Sequence, residues 1–243
     1  MSALLAADGL TKRFGGVVAV DECSFEVPEG TITALVGPNG SGKTTLFNLL
    51  TGYIRPDAGA VVFDGRRSAR PDPTDLYRRG LTRTFQQARI FPQLTLVENM
   101  AAAMTRSWRG ALRRGVDAEE RERALELLEE FRLINHADVL AGQLSYGQKK
   151  LLEFATMLVR RPRLVLLDEP TAGVNPVLVE QIEERIRSLN GRGISFLVVE
   201  HDMNLVMRLC DPVIVLDHGT KLAEGPPAAV QRDAKVLDAY LGA

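Results

Sequence analysis

Between Gly37 and Thr45 the chain reads GPNGSGKTT, placing three glycines, one lysine and two threonines between an apolar run and an amphipathic one. Glycines let successive backbone N–H groups turn inward, and a helix starting just beyond them adds its positive dipole end, so this composition makes a cradle for phosphate oxygens. Gly37, Gly42, Lys43 and Thr44 fit the spacing G-x-x-x-x-G-K-[ST], in which the lysine reaches the β- and γ-phosphates and the hydroxyl binds Mg²⁺. Pro38, Asn39, Gly40, Ser41 and Thr45 complete the expected ATP-binding loop. A glycine-rich turn with a chance lysine would need neither the buried strand before it nor the amphipathic helix after it. The expected ligand is a nucleoside triphosphate.

A phosphate cradle alone does not separate kinases, GTPases and ATPases. The second chemical feature is the pair Asp168 and Glu169, closing the run LVLLDEP. An aspartate there can hold Mg²⁺, and the glutamate after it can orient and deprotonate an attacking water, a contribution of about 10² to 10⁴ in rate. His201 ends another apolar run, ISFLVVEH, and reaches the same sheet edge, towards the γ-phosphate, if the two strands are parallel. Two solvated carboxylates and a structural histidine are the plainer alternatives.

These residues need strands to deliver them. Leu4 to Val36 is strand-like, with a turn at Pro28 to Gly30, and predicts an antiparallel region feeding one buried strand. A helix follows the glycines and ends near Gly52, and Gly59 to Gly65 reads as a short strand. Asp117 to Leu133 carries Ala124, Leu127, Leu128 and Phe131 at helical spacing among charges. A further helix starts at Ser145, which has capping-box spacing to Gln148, and runs towards Pro162. Asn175 and Pro176 read as N-cap and first helical residue, with Val179, Ile182, Ile186 and Leu189 as the apolar stripe. A short helix over DMNLVMRLC and a strand, turn and strand over PVIVLDHGTKLAEG follow. The alternation predicts an α/β core with a mostly helical insertion between about Phe85 and Arg161.

Composition removes other classes. Thirty Lys and Arg against 31 Asp and Glu give a net charge of -1, which offers no bulk attraction to nucleic acid. The basic cluster Arg106 to Arg114 reads as a solvated helix or loop, with partner docking as the minor alternative. No apolar run is long enough to span a membrane and the N-terminus lacks a secretory pattern, so a cytoplasmic location is expected. Cys23 and Cys210 lie far apart without ligand spacing, which argues against a disulfide framework or zinc site and for two buried small hydrophobes.

With these pieces in place, the sequence resembles the ATP-binding subunits of ABC transporters over essentially its whole length. LSYGQ, Leu144 to Gln148, looks like the family's signature motif LSGGQ, which kinases and GTPases lack. Phe14 in KRFGG is similar to the aromatic that stacks on adenine, Gln86 in TFQQ to the glutamine of the Q-loop that also serves the metal, and His201 to the switch histidine. The resemblance implies a P-loop NTPase (RecA-like) core with an antiparallel β region, covering about residues 1–84 and 162–243, and a helical subdomain over about 85–161. It implies two cassettes, identical or related, facing each other, each ATP lying between one P-loop and the partner's Ser145, Tyr146, Gly147 and Gln148, with Asn175 at the interface. Two departures stand out: Tyr146 replaces a usual glycine, and Asn175 stands where many members have aspartate.

RTFQQARIF, LTLVENM, LSYGQKKLLE, EPTAGVNP, EHDMNLVM and VLDAYLGA look most like the subunit serving importers of branched-chain and other hydrophobic amino acids. That subgroup implies a peripheral subunit on the cytoplasmic face of the membrane. Its partners would be transmembrane permease subunits and, indirectly, an extracytoplasmic solute-binding protein. Gln86 would lie near a groove for a permease helix that Phe85, Ile90, Phe91 and Leu94 could line, ordinary subdomain core being the alternative for each of these four, and Ala228 to Leu241 would form a terminal helix, packing on the surface or at the dimer contact. The competing expectations are the motor of a lipid or lipopolysaccharide exporter and a non-transport ATP-switched clamp.

Overall fold

The computed structural model describes residues 3–84, 90–104 and 116–241, so Gln86, Phe85 and the cluster Arg106 to Arg114 lie outside the described residues. The chain divides into two compact units, one formed by Met1–Arg83 with Arg163–Ala243 and the other by Thr84–Pro162.

The first unit is built on two sheets. In the antiparallel one, β1 (Ala3–Phe14) lies between β2 (Val17–Pro28) and β4 (Ala58–Phe63), and β5 (Arg66–Ser68) extends the edge beyond β4. The other has six strands in the order β10 (Thr220–Gly225), β9 (Val213–Asp217), β3 (Ile32–Val36), β8 (Ser195–Val199), β7 (Leu164–Asp168) and β6 (Leu81–Arg83). Five of these strands run parallel, and β10 alone pairs antiparallel. ITALV, LVLLD and SFLVV are buried at every position, as central parallel strands covered on both faces must be. Because β7 and β8 are parallel neighbours, their carboxyl ends meet at one edge. Leu5, Leu10, Phe63, Leu35 and Ile214 join α1 (Lys43–Leu50) residues Leu46, Phe47 and Leu50 in one apolar core.

Helix starts follow local chemistry. Asp72 caps α2 (Pro73–Arg78), accepting from Asp75 N at 2.8 Å. Asn175 caps α6 (Pro176–Gly191), accepting from Leu178 N at 2.9 Å. Asp202 caps α7 (Met203–Leu209). The buried stripe of α6 is Leu178, Ile182, Ile186 and Leu189, while Val179 is only half-buried, one position round the helix from the expected start. The expected single terminal helix is two, α8 (Pro227–Val230) and α9 (Ala234–Leu241). Asp233 ends the continuity because its carboxylate accepts from Lys235 N at 2.9 Å, starting a new turn.

The second unit is helical. Its α3 (Leu96–Met104), α4 (Ala118–Glu130) and α5 (Tyr146–Leu158) pack on one another through buried Leu96, Met100, Leu127, Leu128 and Leu152. Asp117 and Glu120 form a capping box at α4, and Ser145 and Gln148 form one at α5. Within α3, the buried Asn99 amide accepts from Phe91 N at 2.7 Å and donates to Phe91 O, Leu94 O and Thr95 O, fixing the preceding turn. Phe91 itself is exposed, and Ile90 and Leu94 are half-buried. Among the described residues no helix is long and apolar enough to cross a membrane.

Candidate functional site

The loop between β3 and α1 is shaped by what a side chain would hit. A Cβ on Gly37 would come within 2.1 Å of Leu216 O, and one on Gly42 within 2.3 Å of Ala19 O. Gly42 also has φ +99, a left-handed conformation that favours glycine. From outside, the loop is braced by the β9–β10 turn, where Gly219 N donates to Ser41 O at 2.9 Å and Gly219 O accepts from Asp21 N at 3.0 Å. At the far end of α1, Arg83 donates to Asn48 Oδ1 and Thr51 Oγ1, both at 2.8 Å, and stacks on Phe47 and Tyr53.

Lys43 is buried, with 6% of its surface exposed, and its ammonium donates to Gly37 O at 2.7 Å and Pro38 O at 2.8 Å. Burial lowers its pKa, while the nearby Glu169 and Asp168 carboxylates act to raise it. Helix α1 starts without a side-chain cap, so its first-turn N–H groups are not closed off by the protein's own side chains. Main-chain donors, a cation held, among the described residues, by loop oxygens, and glycines that keep Cβ atoms out suit a polyphosphate. The exposed Thr44 hydroxyl and the Asp168 carboxylate are hard oxygen donors of the kind Mg²⁺ takes.

Asp168 ends β7 and is buried; burial pushes its pKa up, with Arg83 opposing and the Glu169 charge reinforcing the rise. Glu169 follows at φ +48, a left-handed backbone that costs a non-glycine residue about 1–3 kcal/mol and persists only where neighbours hold it. Its amide donates to Val199 O at 2.9 Å, tying it to the end of β8. Its Oε1 lies 2.7 Å from His201 Nε2. A carboxylate only accepts, which puts the imidazole proton on Nε2.

Lys43, Thr44, Thr45, Gly40, Gly42 and Asn39 from the loop share one cleft of about 310 Å³ with Glu169 and His201. Val17, Val18 and Ala19 of β2 close its side, a wall that the sequence reading missed because nothing but fold contact marks those residues. Phe14 is half exposed at the end of β1, with Lys12 Nζ 5.5 Å from its ring centre. Asp57 holds that strand end, accepting from Lys12 Nζ at 2.9 Å and Arg13 N at 2.8 Å. The Lys12 hydrogen bond keeps the Asp57 pKa below its ordinary value. Asn175 spends its Oδ1 on the α6 cap.

Ser145, Tyr146, Gly147 and Gln148 belong to the helical unit. Ser145 Oγ accepts from Gln148 N at 3.3 Å, and Gln148 Oε1 accepts from Ser145 N at 2.9 Å. Ser145 and Tyr146 are exposed, so the start of α5 is presented to solvent. The Gln148 amide also lies 3.2 Å from His136 Nε2.

Residues 20–172 match the family described as ABC transporter, and residues 220–243 match the one described as branched-chain amino acid ATP-binding cassette transporter. The chain belongs to the ABC transporter family and is one of its ATP-hydrolysing cassettes. It is 39% identical, over 98% of both chains, to the high-affinity branched-chain amino acid transport ATP-binding protein LivG of Salmonella typhimurium. Among solved structures, an ATP-binding cassette of an ABC transporter in its ADP conformation is 34% identical, with a TM-score of 0.90 and complete coverage of both chains. A dimeric cassette in a post-hydrolysis state, bound to ADP and Pi, is 28% identical, with a TM-score of 0.78 over 92% of this chain and 98% of that one.

Proposed function

We propose that this cassette powers uptake of branched-chain or related hydrophobic amino acids through separate permease subunits, docked on the cytoplasmic face of the membrane. A solute-binding protein delivers the amino acid, and no nucleic acid takes part. The observation that carries the ATPase half of this reading is the Glu169–His201 contact at 2.7 Å in the cleft that holds Lys43 and Thr44. The likeness to LivG over the full chain supports the solute.

In this reading Lys43 exchanges its loop carbonyls for phosphate oxygens, and the N–H groups from Asn39 to Thr45, apart from Ser41 N, which donates to Pro38 O at 3.2 Å, fill the rest of the phosphate shell. Phe14 stacks on adenine. Thr44, Asp168 and Gln86 would hold Mg²⁺, which neutralises phosphate charge when bound. Glu169 takes the proton of the attacking water, and His201 orients Glu169 and the γ-phosphate. A second cassette, identical or related, brings its Ser145, Tyr146, Gly147 and Gln148 to the same phosphate, the Ser145 hydroxyl and the Tyr146 and Gly147 N–H groups facing it. Asn175 lies at the seam between the two. The helical unit at 84–162 receives the permease, with Phe91 exposed for that contact.

The test is reconstitution of the chain with its co-purifying membrane subunits in proteoliposomes. ATP-dependent leucine uptake, lost on substitution of Lys43, is the expected result. Outward lipid movement instead of uptake would overturn the reading.

A further inference from the structure

Glu200 lies immediately before His201 at the end of β8 and is 4% exposed. Its Oε1 accepts from Thr171 Oγ1 at 2.6 Å and Thr171 N at 3.1 Å, and its Oε2 accepts from His201 N at 3.2 Å. Among the described residues no cation pairs with it. A buried carboxyl is costly to place, and this one is spent on donors from two loops, the turn after β7 and the exit of β8.

That turn begins at Glu169, whose left-handed backbone is not a conformation that the chain holds unaided. Ala172 N closes it onto Glu169 O at 3.1 Å, and Val174 N onto Thr171 O at 3.3 Å. Both bonds lie within the turn and say nothing of where it sits. The Glu169 N to Val199 O bond fixes its first residue, and the Thr171 to Glu200 pair fixes it two residues later. The strand end that anchors Thr171 is therefore the one that carries His201.

We infer that Glu200 is a positioning residue for hydrolysis: through Thr171 it locks the turn that aims the Glu169 carboxylate at His201. This rests on the proposed roles of Glu169 and His201. The arrangement requires an acceptor on both carboxyl oxygens. A glutamine at 200 would meet either Thr171 or His201 donor to donor.

The experiment uses the full chain with four substitutions: Thr171→Val, Thr171→Ser, Glu200→Gln and Glu169→Gln as reference. Steady-state ATP hydrolysis, affinity for a fluorescent ADP analogue and melting temperature are measured for each. Thr171→Val and Glu200→Gln are expected to lower kcat about ten- to a hundredfold while nucleotide affinity changes by less than about threefold, since misplacement of a catalytic group costs rate rather than binding. Thr171→Ser, which keeps the hydroxyl, restores most of the rate. Wild-type kcat in both disruptive variants, with Glu169→Gln inactive, overturns the inference and leaves the base assignment standing. Loss of rate and affinity together, in step with melting temperature, also overturns it, because that is the behaviour of a purely structural brace. If Glu200→Gln does not fold, the Thr171→Val against Thr171→Ser contrast decides alone. Undiminished hydrolysis in Glu169→Gln removes the base assignment, and the purpose of the lock with it.

Discussion

Replacing Lys43 with methionine separates what the lysine does for the fold from what it does for nucleotide. Its ammonium makes bonds of 2.7 and 2.8 Å to Gly37 O and Pro38 O. Hydrogen bonds to charged groups contribute about 1.5–3 kcal/mol each, but here they offset the burial that lowers the lysine pKa. The variant relieves that burial but leaves both carbonyls without the ammonium, a net cost of about 1–3 kcal/mol for unsatisfied buried acceptors, and at about 2–4 °C per kcal/mol for a chain of this size the melting temperature of the unliganded chain falls by roughly 2–12 °C. Nucleotide at 100 times its Kd stabilises by about 2.7 kcal/mol, a rise of roughly 5–11 °C. Thermal denaturation of Lys43→Met with and without Mg-ATP, in a Glu169→Gln background that removes the proposed base, reads both quantities. The variant is expected to show the modest fall and none of the nucleotide-dependent rise. A full rise would refute the assignment of Lys43 as the phosphate grip.

Phe14→Ala is expected to weaken ATP about tenfold without changing kcat, since stacking of this kind is worth about 1–3 kcal/mol per base; equilibrium binding of a fluorescent ATP analogue checks it. Asp57→Asn tests the bracing of that strand end through pH. The folded carboxyl lies below the ordinary 3.8, so its stabilisation is present above that value and is lost as pH falls through the lower folded one. The melting difference between Asp57→Asn and the parent should therefore be constant near neutrality and close in acid. Burial pushes the Cys23 thiol up to about 11 and the Cys210 thiol up to about 12. Their contribution to stability is present below the ordinary 9.0 and is lost between that value and the folded ones, and at pH 8 iodoacetamide should label neither until denaturant is added.

The chemistry was more legible than the scaffold. GPNGSGKTT announces itself because phosphate binding dictates backbone conformation, and backbone conformation dictates glycine at fixed spacing. LVLLDEP and ISFLVVEH are equally plain, since a strand buried on both faces must be apolar until it ends. Their pairing followed from parallel neighbours, a condition only the sheet order could supply. The short β5, β6 and α2 carry three to six residues each and little periodicity. They are held by tertiary contacts such as that of Arg79 with Phe63 O and those of Arg83 with Asn48 and Thr51. Glu200 was invisible for the opposite reason: an acid at a strand exit reads as solvated until Thr171, 29 residues earlier, is seen beside it. The split at Asp233 was hidden because an aspartate within an apolar stripe reads as an exposed helical position rather than a cap.

Hydrolysis in this cleft is proposed to depend on Glu169 as the base. Steady-state ATP turnover of Glu169→Gln, alongside nucleotide affinity, tests it most directly. ATP is expected still to bind while turnover falls by about 10² to 10⁴. Turnover at the parent rate with ATP bound would contradict it.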